Sequence, residues 1–143
     1  MIAMELRIDL RALTSDKLAF LADLVAGPGS LKESCPELAT ALIELLAKEA
    51  DGRALDRASA NWTLPLEIFA PDEVLIERWR LAWWWTARCL VHVEKNPELQ
   101  SLADLLEDLE VQVFNEIASF IDRQDRENLL AAFTQELENL RQV

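Results

Sequence analysis

The chain contains no tyrosine, three glycines, five prolines, two cysteines and one histidine in 143 residues, and each shortage removes a class of answer. So few turn-forming residues cannot supply the regularly spaced hairpins of an all-β sandwich or barrel. Gly27, Gly29 and Gly52 fit neither the G-x-x-x-x-G-K nor the G-x-G-x-x-G spacing, so no phosphate cradle of those kinds is present. Two cysteines and one histidine are too few for a four-ligand zinc site. Cys35 and Cys89 show no C-x-x-C spacing and read as buried, reduced thiols.

Long apolar runs are also missing. Met1 to Leu13 is interrupted by Glu5, Arg7, Asp9 and Arg11, which leaves no apolar core for a secretory signal. The most hydrophobic window, Val74 to Val93, has only the seven residues Leu81 to Ala87 as its longest uncharged piece, where a membrane span needs roughly 20. The expectation is a cytoplasmic protein that does not enter a membrane.

What is abundant is helix former. The 26 Leu and 19 Ala outnumber the 7 Ile, 7 Val and 5 Thr, a balance that predicts an all-α chain. At this length a single domain spanning residues 1–143 buries enough surface for its own core. The pattern predicts a bundle of about five or six helices.

Leu6, Ile8 and Leu10 alternate with charged residues like a strand, but no partner for a lone strand is evident. Thr14, Ser15 and Asp16 open a helix that Gly27-Pro28-Gly29 closes. Ser34 with Glu37 three residues on has the spacing of a reciprocal capping box, and Asp51-Gly52 reads as that helix's stop. Arg53 to Ala60 has room for a short helix. Pro65 and Pro71 each bias the preceding residue away from helix, so residues 61–71 read as an extended connector, apolar enough to pack across the domain.

From Pro71 to about Lys95 the chain is apolar on nearly every helical face, which places that helix in the middle of the molecule. Asn96-Pro97-Glu98 has the residue types of a helix start. Leu99, Leu102, Leu106, Leu109 and Val113 then form a stripe that Leu130, Phe133, Leu137 and Leu140 resume, with a break expected near residues 122 to 125. Two antiparallel helices or one bent helix satisfy this pattern.

Candidate chemistry is sparse. Cys89 and His92 stand three apart on one helix, the sole Cys-His arrangement available, but they sit among core-like residues with no exposed elbow. No catalytic role is assigned to them. The carboxylate pairs Glu107/Glu110, Asp104/Asp108 and Glu73/Glu77 have one-turn spacing, which admits divalent-metal hydrolysis of phosphoanhydrides as an alternative. The acids around residue 107 flank the leucine stripe and so point to solvent. Glu116, which intrudes on the stripe, is the one acid placed to face inward. No metal ligand or cofactor is assigned.

Two asymmetries remain. Trp79, Trp83, Trp84 and Trp85 share one helix, and three consecutive tryptophans span about 200° of its circumference at ~100° per residue. Trp79 and Trp83 continue the Leu75 stripe into the core, leaving Trp84 and Trp85, with Arg88, as a candidate recognition patch. Charge is the second. The net charge is −12, and residues 96–122 hold seven acids with no Lys or Arg. Such a face repels nucleic acid and anionic membrane and suits a basic protein surface. The expected function is therefore non-enzymatic binding of another protein, as an accessory subunit, regulator, or immunity or inhibitor type partner, through Trp84, Trp85, Arg88, Asp104, Glu107 and Asp108. A homodimer using the leucine stripes, or a purely structural homo-oligomer, is the other alternative.

Overall fold

The strand-like alternation at the N-terminus finds its partner in the segment read as a connector. A computed structural model of the chain describes residues 2–27, 31–54 and 62–142. In it Ile2–Ile8 forms strand β1 and Trp62–Ile68 forms strand β2, paired antiparallel with Ile2 opposite Ile68 and Leu6 opposite Leu64. The segment is extended and apolar, as expected, but it is a strand rather than a linker, because an extended backbone laid against another can satisfy its amides there. Pro65 faces Glu5. The N–H and C=O of Arg7 bond to a side chain instead of to β2, so by alternation Glu5 also directs its backbone away from β2 and the missing proline N–H costs the ladder nothing.

Among the described residues six helices carry the rest: α1 Ser15–Ala26, α2 Leu31–Ser34, α3 Pro36–Ala54, α4 Asp72–Glu94, α5 Gln100–Ala118 and α6 Arg123–Arg141. The architecture is the expected helical bundle with a two-stranded ribbon added. No helix among the described residues is long and apolar enough to cross a membrane.

Local signals set several of the helix starts. Thr14 accepts from the Lys17 N–H at 3.4 Å, and Asn96 accepts from the Glu98 N–H at 3.0 Å ahead of a 3-10 turn, Pro97–Leu99, that leads into α5. Asp122 caps α6 by accepting from the Asp125 N–H at 2.9 Å. The break between α5 and α6 thus falls at residues 119–122, slightly earlier than expected, where the cap itself begins the polar run.

Two expected signals are overridden. Ser34 does not cap α3: it ends α2, and its Oγ donates to the Leu31 carbonyl at 3.3 Å. Pro36 takes the first helical position, which moves the cap position to Cys35. Glu37 instead pairs with Arg78 of α4. Nor does Gly52 end α3, which runs on to Ala54. Arg53 secures that last turn by donating to Glu49 at 3.0 Å and to the Leu10 carbonyl at 2.8 Å, bonds that outweigh the ~1 kcal/mol cost of a helical glycine. The short helix read from Arg53 to Ala60 falls largely outside the described residues.

α4 is the central element, packed against α2, α5 and α6, and its buried residues face several directions. Trp79 Nε1 donates to the Val113 carbonyl at 2.8 Å and Trp83 Nε1 to Glu110 at 2.6 Å, so α5 runs antiparallel to α4. Trp83 also meets Phe133, and Glu94 meets Arg141 at 2.8 Å. α6 therefore returns parallel to α4 and antiparallel to α5, as two helices rather than one bent one. Ile2, Leu6, Ile8, Leu66 and Ile68 of the ribbon join the same apolar core as Leu102, Leu106, Leu109 and Val113 of α5.

Candidate functional site

Three tryptophans in succession present too much apolar area for one face of a helix, and the fold resolves this by enclosing α4 on several sides. Trp79 and Trp83 are fully buried, as expected, but Trp85 is buried as well, at 8% exposure. Its expected place on an open patch is not where the structure puts it. Trp84 is half-buried and Arg88 exposed.

Trp84 lines an open groove of about 330 Å³ between α4 and α6. Its walls are Leu81, Trp83 and Trp84 from α4 and Leu129, Ala132 and Phe133 from α6, with Glu77, Arg80 and Glu136 also lining it. Leu81 is 42% exposed, and Leu130 on α6 is 54% exposed.

The acids expected to face solvent do so: Asp104, Glu107 and Asp108 are all exposed. They do not form one patch with the tryptophan. Asp104 and Asp108, one turn apart, line a groove of about 240 Å³ with Arg7, Asp9 and Ser101, and it shares no residue with the Trp84 groove. Asp9 is held to about 2 by the hydrogen bond from the Arg11 guanidinium. Glu107 lies on the other side of α5, where its field reaches Glu110 and Arg141.

Glu110 departs from the expectation of a solvated acid. It turns inward to accept from Trp83, and burial pushes its carboxyl above the ordinary range. Glu116 is half-buried, as its place in the stripe implied, and burial raises its carboxyl too. It lines a third groove, of about 530 Å³, with Met4, Glu5, Arg7, Asp108 and Gln112.

The Cys-His arrangement is split between core and solvent in this geometry. Cys89 is buried and its thiol is pushed up to about 11 by desolvation, while His92 lies on the solvent side of the helix. Burial likewise raises Cys35. A thiol so placed supplies little of the thiolate that nucleophilic attack needs. Among the described residues no three His, Cys, Asp or Glu side chains converge where a metal ion would be held.

The contact that sequence reading missed joins α5 to the ribbon. The Arg7 N–H donates to Gln112 Oε1 at 3.0 Å, and Gln112 Nε2 donates back to the Arg7 carbonyl at 2.8 Å. The alternation of residues 6–10 signals the strand, but nothing in it signals a glutamine 105 positions away.

Comparison with known proteins yields no matching family model, no similar curated protein and no similar solved structure.

Proposed function

We propose that the chain works by binding a basic protein partner, with Trp84 as the apolar anchor and the acids of α5 as the steering field. The observation that carries this reading is the open apolar groove between α4 and α6, in a chain of net charge −12. A half-buried tryptophan at the wall of such a groove offers a large apolar area at little entropic cost to a partner side chain. Asp104, Glu107 and Asp108 lie outside the groove and act at a distance, on the rate of encounter. An accessory subunit, a regulator, and an immunity or inhibitor type protein all use this physics. The self-association alternative has less to draw on, since Leu102, Leu106, Leu109 and Val113 are spent on the chain's own core.

The test separates anchor from field. Proteins retained by the immobilised chain are compared with those retained by Trp84→Ala, at matched melting temperature. Binding kinetics of any protein lost by the variant are then measured at two salt concentrations. Trp84→Ala should speed dissociation by roughly 30-fold, equivalent to about 2 kcal/mol. Reversing Asp104, Glu107 and Asp108 to Lys should slow association and flatten its salt dependence. A set of retained proteins identical for chain and variant overturns the reading.

A further inference from the structure

An edge strand leaves a row of main-chain donors and acceptors unpaired unless something covers it. In β1 the outward-facing residues are Ala3, Glu5 and Arg7, because Arg7 bonds away from β2 and the direction alternates along the strand. Gln112 covers Arg7. A carboxamide carries one acceptor and one donor side by side, as a peptide group does, and with Arg7 it forms the two-bond pairing of a neighbouring strand residue. Among the described residues nothing bonds the outward N–H or C=O of Ala3 or Glu5. Beside Glu5, between β1 and α5, runs the groove of about 530 Å³ whose far wall includes Asp108, Asn115 and Glu116.

We propose that an extended, basic segment of a partner protein adds to the outer edge of β1 at Ala3–Glu5, continuing the pairing that Gln112 begins at Arg7. Addition of a strand is a recognised mode of peptide capture, in which main-chain bonds supply affinity and alternate side chains supply specificity. The groove sets that alternation. Residues opposite Ala3 and Glu5 share their exposed face, where Glu5 calls for Lys or Arg across the strand. The residue between them lies on the face of Met4, which packs against the core, and is apolar. Glu5, Asp108 and Glu116 against Arg7 alone give the groove its negative sign. This surface shares no residue with the Trp84 groove; Asp108 also belongs to the steering acids, but Ala3 and Glu5 do not, so signals at their amides test the strand addition by itself.

The probe is an end-blocked hexapeptide of alternating Lys and Val, titrated into the full ¹⁵N-labelled chain at low salt. Expected are saturable shifts at the Ala3 and Glu5 amides, slowed hydrogen exchange at both, and affinity at least tenfold weaker for Glu5→Lys/Asp108→Lys. Glu138→Lys, an exposed change of the same sign on α6, should weaken it far less. Alternating Glu and Val, or N-methylation of the edge-facing amides, should abolish binding. Absence of shifts at Ala3 and Glu5 up to millimolar peptide overturns the proposal, as does equal binding of the N-methylated peptide. Concentration-dependent shifts of these amides without peptide also overturn it, by assigning the edge to a second copy.

Discussion

Phe133 is stacked on Trp83, with ring centroids 3.7 Å apart and planes 18° from parallel, while the edge of Phe114 closes on it at 5.6 Å. Phe133 is the one buried residue of α6, so this stack is the deepest apolar attachment of a helix whose Leu129, Leu137 and Leu140 pack on the core only in part. The same ring forms a wall of the Trp84 groove, which ties the stability of α6 to the shape of the candidate binding surface.

Phe133→Ala should therefore release α6 before it unfolds the bundle. Removal of a buried phenylalanine costs about 3–5 kcal/mol, but here the loss is expected locally. Amides of residues 126–141 should exchange with solvent much faster, while those of α4 and α5 keep most of their protection. Uniform acceleration across all helices would show that α6 is integral to the cooperative core.

Glu110 makes stability depend on pH. Burial raises its carboxyl above the ordinary 4.5 in the folded chain, so the folded state holds the proton more tightly than the unfolded one. The stabilisation is full below the ordinary value and is lost as pH rises through the raised folded value. Glu110→Gln keeps an acceptor for Trp83 and removes the charge. The variant should be the more stable protein at pH 7, with the gap closing as pH falls toward 4.5, as denaturant titrations at a series of pH values would record.

The thiols should be silent in the native state. Cys35 and Cys89 are both buried and both raised, so iodoacetamide at pH 8 should modify neither at a rate above that of global opening. Both should react promptly in denaturant. Mass spectrometry after timed quenching counts the adducts, and fast labelling of folded protein would place a thiol at the surface.

Gln112→Ala tests the seam between α5 and β1. Three hydrogen bonds are lost, two with Arg7 and one from Gln112 Nε2 to Asp108, at a place where water replaces them, so the cost should be about 1 kcal/mol. The Arg7 amide should exchange far faster than in the native chain, and residues of β2 should change little. An unaltered Arg7 exchange rate would mean that something other than Gln112 protects this edge.

Periodicity alone determined the parts of the protein in which each residue's surroundings repeat along one helix. The stripe Leu102, Leu106, Leu109 and Val113 is buried, Asp104 and Asp108 stand outside it, and α4 lies in the middle because most of its faces are apolar. Those features follow from helical geometry and the cost of leaving apolar area in water. Tertiary structure decided everything that depends on a distant neighbour. Trp85 is buried and Trp84 only half-buried because of which sides of α4 its neighbouring helices cover, and Gly52 stays helical because Arg53 reaches Leu10. Residues 62–68 are a strand because residues 2–8 are there to pair with them, and Arg7 is covered by a glutamine of α5. A local pattern states which faces must be buried. Which segments bury them is settled by closing long loops against one another, a choice that no window of the sequence contains.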